Sequence, residues 1–358
     1  MEDDLRVVRI ALPRFPFRCR RGTPTPRSTP THTPPLDNFA IVRLMPLLRP
    51  LRFLLTVILL GTLASLIPAT SAADAPAKPL VVTTNTILDD FVRTLGADAL
   101  EVRCLLTPGR DPHSYDPTPA DIRLLTRADL IVVNGLGFET WLEKLIKNSG
   151  TRATVLTAST GIEPLHAPDH HDHSAHDHAH HDHGDLDPHA WHDLRNASRY
   201  VANIRDALTK LAPSSADAIN TRATAYLAEL TALDTRFRET IAALPAARRK
   251  LVTSHDSLRY LGHAYGLEII PISGLRPDQE PSAKQLATIV KLLRRENIRA
   301  VSIESTTNPK IPTLLAKEAG VAIVNELYTD SLGTPDSPAA TFLAMARANL
   351  ETITTALK

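Results

Sequence analysis

The sequence predicts an α/β protein of two lobes, each built on a parallel β-sheet, with one long rigid helix joining them. Short apolar segments alternate with amphipathic segments in 80–147, and the same alternation returns in 251–356. Strands that alternate with helices are typical of parallel sheets. An Ala-rich helical segment separates the two series, and a hydrophobic fraction of 43% is enough for two cores.

The first series predicts strands at 80–84, 102–106 and 130–134, and helices at 87–95 and 139–147. A proline-rich loop follows the second strand and ends at a helix start. Thr118 suits the cap position, Pro119 suits the first turn, and Asp121 favours the positive end of the helix.

The central segment predicts a helix at 194–211, an interruption at Pro213, and a long helix at 215–244. One apolar stripe follows the long helix at spacings of three and four, through Leu230, Leu233, Phe237, Ile241 and Leu244. At 1.5 Å per residue this helix would be about 45 Å long, enough to run along two lobes. The second series then predicts strands at 251–253, 268–271, 300–303 and 322–324, and helices at 257–265, 282–296, 309–319 and 339–356.

The first 73 residues are expected to lie outside the fold. Residues 1–44 are a proline-rich extension, and 45–73 read as a signal peptide with Arg49 and Arg52, an apolar run at 53–67, and small residues at 71–73. The apolar run is shorter than the roughly 20 residues of a spanning helix, so we expect cleavage, export to the periplasm and no stable membrane insertion. The remaining domains are an N-terminal lobe at 74–213, the linking helix at 214–245 and a C-terminal lobe at 246–358.

Charge and cysteine content exclude several classes of protein. Residues 1–73 hold ten of the 40 basic and four of the 39 acidic residues, which leaves 30 basic and 35 acidic residues in 74–358. The sequence lacks the kind of basic stripe that would indicate a nucleic-acid partner. Cys104 is the single cysteine after Cys19, so the exported chain has no disulfide and no cysteine zinc cluster. A metal site must therefore use His, Asp and Glu.

The His-rich segment (165–184) carries nine histidines interleaved with aspartates. They are His166, His170, His171, His173, His176, His178, His180, His181 and His183. Such a segment has too few apolar residues for a core, and imidazole binds borderline metals such as zinc. We expect a solvated loop that binds additional zinc weakly; a polar linker or an in-frame tag is the alternative.

Four further residues follow predicted strands or lie in connecting loops, two in each lobe. They are His113 in DPHSY, His189 in DPHAW, His255 in TSHDS and Asp330 in LYTDSL. Each alone is a weak signal, since a single histidine behind a strand is common. Together, three imidazoles and one carboxylate satisfy a tetrahedral zinc site.

Over residues 80–358 the chain resembles the periplasmic substrate-binding proteins of zinc and manganese ABC transporters, the cluster A-I proteins of zinc-uptake type. Four segments carry the resemblance in family order: DPHSYDPTPADI, DPHAW, SHDSLRYLGHAYGL and ELYTDSLG. The resemblance implies metal bound in the cleft between two lobes by His113, His189, His255 and Asp330. It also implies that histidine at the third position, here His255, favours zinc, whereas glutamate there favours manganese.

Two nearby residues need separate comment. Glu304 in SIEST resembles a residue of the family's cleft and is expected to orient a ligand histidine. His192 stands where the family more often has an apolar residue; we expect it at the surface, with a hydrogen bond to a ligand as the alternative.

The sequence therefore predicts a monomeric protein that binds zinc in the periplasm and delivers it to an ABC permease. A manganese-binding member of the same family, or an extracellular metal-binding adhesin or buffer, is the alternative. A zinc hydrolase would keep an open coordination position, which four protein ligands do not leave. We therefore do not expect an enzyme.

Overall fold

The computed structural model describes residues 77–166, 186–277 and 281–358. The predicted extension (1–44), the predicted signal peptide (45–73) and most of the His-rich segment lie outside the described residues. Within the described part of the chain, no helix combines the length and the apolar character that crossing a bilayer requires.

The N-terminal lobe contains a four-stranded parallel sheet in the order β2-β1-β3-β4. Its strands are β1 (Leu80–Thr83), β2 (Glu101–Cys104), β3 (Leu130–Val133) and β4 (Thr154–Thr157). Its helices are α1 (Thr86–Gly96), α2 (Pro119–Arg127) and α3 (Leu142–Ser149). The connections are helical, as parallel strands require.

The C-terminal lobe repeats this plan with a parallel sheet in the order β6-β5-β7-β8. Its strands are β5 (Lys250–Thr253), β6 (Glu268–Pro271), β7 (Ala300–Glu304) and β8 (Ala322–Leu327). The helices of this lobe are α6 (Arg259–Tyr265), α7 (Ala283–Arg295), α8 (Lys310–Ala319) and α9 (Phe342–Leu357), while α4 (Leu194–Leu211) and α5 (Ala216–Ala242) connect the lobes. The predicted fold class is confirmed.

Each sheet buries both of its faces, since successive strand residues point to opposite sides. In β1, Val82 packs in a core with residues of α2 and α3, whereas Val81 packs in a larger core that α4 and α5 share. The C-terminal sheet is covered likewise, with Val252 facing α7 and α8 and Leu251 facing the shared core. The shared core extends through both lobes and holds them together.

The long helix α5 contacts both lobes, as its length predicts. Its Arg222 donates to the carbonyl of Leu95 in the N-terminal lobe (2.6 Å), and its Arg238 donates to that of Ala264 in the C-terminal lobe (3.0 Å). The predicted apolar stripe is buried, from Leu230 to Ile241 and on to Leu244.

The segment after β8 is also bonded to the N-terminal lobe. Gly109 donates its N–H to the Ser331 hydroxyl (2.9 Å), and Leu332 donates its N–H to the Thr86 hydroxyl (2.8 Å). Asp90 in α1 accepts the N–H of Phe342, the first residue of α9 (2.9 Å). These bonds fix the two lobes to each other beside the cleft.

Two local predictions need comment. Thr118 and Asp121 form a reciprocal capping box at the start of α2, with Pro119 as the first helical residue, so that prediction is confirmed. Strand β4 is absent from the predicted elements. It lies at the edge of the sheet, and Val155 is 42% exposed. An edge strand of this kind needs no continuous apolar run, so its sequence TVLT lacks the pattern that marks a buried strand.

Candidate metal site

His113 lies in the loop between β2 and α2 and is buried. Asp111 shapes this loop: one carboxylate oxygen accepts the N–H of His113 (2.9 Å), and the other accepts the Ser114 hydroxyl (2.6 Å). Asp111 thus fixes the backbone of the histidine, in the manner of an Asx turn.

His189 lies at the start of the short 3₁₀ turn before α4 and is fully buried. The Asp187 carboxylate accepts a hydrogen bond from the backbone N–H of His189 (3.0 Å) and lies 2.8 Å from Nδ1 of the His189 ring. The carboxylate therefore holds the Nδ1 proton and leaves Nε2 free to bind a metal. Asp187 was not singled out from the sequence, although D-P-H occurs twice and Asp111 stands at the same place in the other copy.

His255 follows β5 and is fully buried beside Glu304, the last residue of β7. Glu304 Oε2 lies 2.5 Å from the ring Nδ1 of His255, and Glu304 Oε1 accepts its backbone N–H at 3.0 Å. The same carboxylate accepts the hydroxyls of Ser257 (3.3 Å) and Thr329 (3.0 Å). Glu304 thus contacts the Nδ1 side of the ring, opposite to Nε2, which faces Asp330.

Asp330 follows β8 and points its carboxylate at the three imidazoles. Its oxygens lie 3.8 Å from Nε2 of His113, 3.4 Å from that of His189 and 3.1 Å from that of His255. It is fully buried, and apart from these imidazoles no described group donates a hydrogen bond to either oxygen. A buried carboxylate without donors is costly unless a cation neutralises it.

The four side chains converge on one point. Their nearest ligand atoms all lie within 4.8 Å of one another, and Nε2 of His113 and Nε2 of His189 are 3.2 Å apart. Ligands about 2.1 Å from a tetrahedral zinc ion are about 3.4 Å from each other. The spacing therefore suits one bare ion and leaves no room for an organic ligand.

Burial and charge set the protonation of the group. Burial lowers the pKa of His113 to about 3. Burial also acts to lower the pKa of His255, but the carboxylates of Glu304 and Asp330 outweigh it and raise that pKa well above the usual range. Burial would raise the pKa of Asp330, but His255 and His189 hold it well below its usual range. Without metal, the two carboxylates therefore favour a proton on His255, and a metal cation must displace that proton.

Aromatic rings close the site against water. The ring of Phe138 lies edge-on to His113 (4.8 Å between centroids) and to His189 (5.9 Å). Trp191 packs against His189 at 5.5 Å and donates its Nε1–H to the carbonyl of Thr329, the residue before Asp330 (3.1 Å). Apolar walls of this kind strengthen the attraction between a cation and its ligands.

The surface position expected for His192 is wrong. The residue is buried, with its ring 5.5 Å from that of Trp191, and burial lowers its pKa to about 3. A neutral imidazole is far less costly to bury than an imidazolium, so this core accepts a histidine where an apolar residue would also fit.

The ends of the His-rich segment are anchored beside the site. His166 and Leu186 form an isolated antiparallel bridge. Arg259 donates to the His166 carbonyl (2.5 Å), and the Tyr260 hydroxyl accepts the N–H of Leu165 (2.9 Å). His166 is exposed and takes no part in the group of four. The other eight histidines of the segment lie outside the described residues.

Comparison with known proteins gives a consistent result. The family model described as zinc-uptake complex component A, periplasmic, matches residues 81–356. The manganese-binding lipoprotein MntA of Halalkalibacterium halodurans is 32% identical over 77% of this chain and 88% of its own length. The iron-binding protein YfeA of Yersinia pestis is 33% identical over 78% of this chain and 87% of its own length.

A solved structure shares the whole architecture. The periplasmic zinc-binding protein TroA from Treponema pallidum aligns with a TM-score of 0.70 at 31% identity, covering 78% of this chain and 99% of its own. The sequence resemblance is thereby confirmed, and the family consists of binding proteins rather than enzymes. The chain belongs to the family of zinc-uptake complex component A, the metal-binding substrate-binding proteins of ABC importers.

Proposed function

We propose that this protein binds one zinc ion tightly in the periplasm and delivers it to the permease of an ABC importer. The proposed ligands are Nε2 of His113, His189 and His255, and the carboxylate of Asp330. The observation that carries the proposal is the buried Asp330 carboxylate, which lies 3.1–3.8 Å from three imidazole nitrogens and accepts no hydrogen bond from any other described group.

The choice of zinc depends on the ligand chemistry of this chain. The relatives named above are called manganese-binding, iron-binding and zinc-binding, so their names alone do not select a metal. Three imidazoles and one carboxylate suit zinc, whereas manganese prefers more oxygen ligands and a larger coordination number. Manganese is the second candidate, and the name of MntA favours it.

The route to the periplasm and the domain division are part of the proposal. We infer that residues 45–73 are a cleaved signal peptide that directs export to the periplasm. The mature chain would then comprise a lobe at 74–213, a linking helix at 214–245 and a lobe at 246–358. We further propose that it acts as a monomer without nucleic-acid or membrane partners other than the permease.

The nine histidines of the His-rich segment are proposed to bind additional zinc weakly. The bridge between His166 and Leu186 brings the ends of this segment together, so a short Gly-Ser turn can replace the residues between them. Such a deletion separates weak binding by the segment from tight binding in the cleft, and it supplies the background for the test below.

The test is a titration of the loop-deleted protein with zinc and with manganese. We expect one tight zinc ion and weaker manganese. His255→Glu should weaken zinc and improve manganese relative to the parent, because a carboxylate replaces an imidazole. The matched control is His263→Glu on the exposed face of α6, which should change neither affinity. Tighter manganese than zinc in the parent would reverse the assignment of the metal.

A further inference from the structure

Asn134 follows β3 and is fully buried, and every hydrogen-bonding atom of its side chain is used. Its Nδ2 donates to the carbonyls of Gly135 (2.9 Å) and Pro188 (3.0 Å), and its Oδ1 accepts the Tyr200 hydroxyl (2.7 Å). Two carbonyls on one side and a hydroxyl on the other fix the orientation of the amide. Pro188 immediately precedes His189.

The backbone around Asn134 is fixed independently by Glu139. The Glu139 carboxylate accepts the N–H groups of Asn134 (2.7 Å) and Gly135 (3.2 Å) and the hydroxyl of Thr84 at the end of β1 (2.5 Å). Glu139 itself lies outside α3, which begins at Leu142 and not at 139 as predicted.

The turn between them has an unusual backbone. Gly135, Leu136 and Gly137 all have positive φ, at 85°, 57° and 80°. A Cβ at Gly135 would lie 2.5 Å from the Thr157 side chain, so glycine is required there. The turn is followed by Phe138, whose ring packs edge-on against the rings of His113 and His189. A strained turn held by buried hydrogen bonds is typical of a functional site.

We propose that Asn134 is a positioning residue for metal binding, which fixes the turn carrying His189 through its hydrogen bond to the Pro188 carbonyl. Asp187 orients the imidazole within this turn, while Asn134 sets the place of the turn against the end of the sheet. The inference rests on the proposed function, because it assigns Asn134 to the same metal site.

The chemistry of the position requires an amide. Aspartate has nearly the same shape, but it donates no hydrogen bond, so its oxygens would face the carbonyls of Gly135 and Pro188. Repulsion would then displace the His189 turn from the cleft. Partners outside the ligand set typically change metal affinity by about 10–100-fold when they are mutated. We expect a loss in that range for Asn134→Asp.

Asn203 in α4 offers a matched control. Its Nδ2 also donates to two backbone carbonyls, those of Ala158 (2.8 Å) and Thr160 (2.9 Å), in the same lobe but away from the ligands. Asn203→Asp therefore makes the same chemical change and removes the same number of hydrogen bonds. It should lower the melting temperature without changing metal affinity.

The experiment compares zinc affinity, melting temperature and the visible spectrum of bound cobalt(II) in the loop-deleted parent, Asn134→Asp, Asn134→Ala and Asn203→Asp. We expect both Asn134 variants to lose affinity and to alter the cobalt spectrum, which reports coordination geometry. Asn134→Ala also removes the hydrogen bonds but adds no buried charge. It therefore provides the same test if Asn134→Asp folds poorly. Parental affinity and spectrum in folded Asn134 variants would overturn the inference alone, as would equal losses in Asn203→Asp. A parent that binds no metal would overturn the proposed function and this inference together.

Discussion

The two lobes have sheets of the same strand order, but they hold their histidines in different ways. Strands β3 and β7 occupy equivalent places, and each ends in a side chain that supports a proposed ligand of its lobe. Glu304, at the end of β7, contacts the ring of His255 directly. Asn134, just after β3, contacts the backbone before His189 and leaves the ring to Asp187.

This difference follows from where the ligands stand in the chain. His255 lies two residues after β5 and Asp330 three residues after β8, so both stand close to strand ends of the C-terminal sheet. His113 and His189 lie in loops of the N-terminal lobe, and their positions depend on side-chain hydrogen bonds. In the proposed site, a neutral amide would fix the backbone beside a ligand, whereas a carboxylate in contact with the ring would also raise the basicity of an imidazole.

The largest expected effect is the loss of the one anionic ligand in the C-terminal lobe. Asp330→Asn keeps the shape but removes the charge, and we expect zinc affinity to fall by more than the about 10–100-fold that outer partners contribute. His113→Ala, in the N-terminal lobe, should lose less, because its loop can admit a water ligand. Competition titration with a zinc chelator measures both. The exposed Asp336→Asn is the control, and a loss in Asp330→Asn no greater than in His113→Ala would contradict the ranking.

Replacing Glu304 should have the next largest effect and should change the pH dependence. The raised pKa of His255 means that protons compete with metal for it, so zinc affinity should fall as the pH drops below that pKa. Glu304→Gln removes the charge that raises this pKa. We expect an affinity loss of about 10–100-fold at neutral pH and a shallower fall at lower pH.

Isothermal titration calorimetry at several pH values measures the zinc affinity of Glu304→Gln and its dependence on pH. Asn134→Asp, in the other lobe, should leave the pH dependence close to that of the parent because Asn134 contacts no ring. An unchanged pH slope in Glu304→Gln would show that the carboxylate does not set the protonation of His255.

The last prediction concerns the contact between the lobes, and it changes the stability of the fold rather than metal affinity. Burial raises the pKa of Asp90 from 3.8 to about 6. A carboxyl group whose pKa rises on folding contributes most below its unfolded pKa, and the contribution is lost as the pH rises through 6. Between pH 4 and pH 7, wild type should therefore lose up to about 3 kcal/mol of unfolding free energy relative to Asp90→Asn. Urea titrations of the metal-free proteins measure it, and a pH-independent difference would contradict the prediction.

The sequence predicts the parts of this molecule that depend on periodicity and on strand ends. The strands around Val81 and Val252 are apolar runs, and polar residues behind such runs must meet at one edge of a parallel sheet. That reasoning singles out His255 and Asp330, and the structure places them 3.1 Å apart. His113 and His189 stand out as histidines in the connecting segments DPHSY and DPHAW, whereas Glu304 stands out only through the family resemblance.

The remaining features depend on tertiary contacts that no local pattern encodes. Asp111 and Asp187 share the same motif, yet the ring contact forms only at Asp187. Asn134 looks like an ordinary residue at the end of a strand until Pro188 is brought beside it by the fold. The burial of His192 likewise depends on helices distant in sequence, and β4 is too exposed to show an apolar pattern.

The hydrogen bonds that hold Ser331 and Leu332 to the N-terminal lobe would link the proposed metal binding to the stability of the folded chain. Because Asp330 sits in a segment that both lobes hold, the four proposed ligands come together only in the folded chain. A ligand that binds only the folded state stabilises it by about 4 kcal/mol at a thousand times its Kd. Metal-free molecules would therefore unfold transiently more often than metal-bound ones and would be cleaved by proteases more often. Scarcity of metal would then shorten the lifetime of the carrier, and an adequate supply would preserve it.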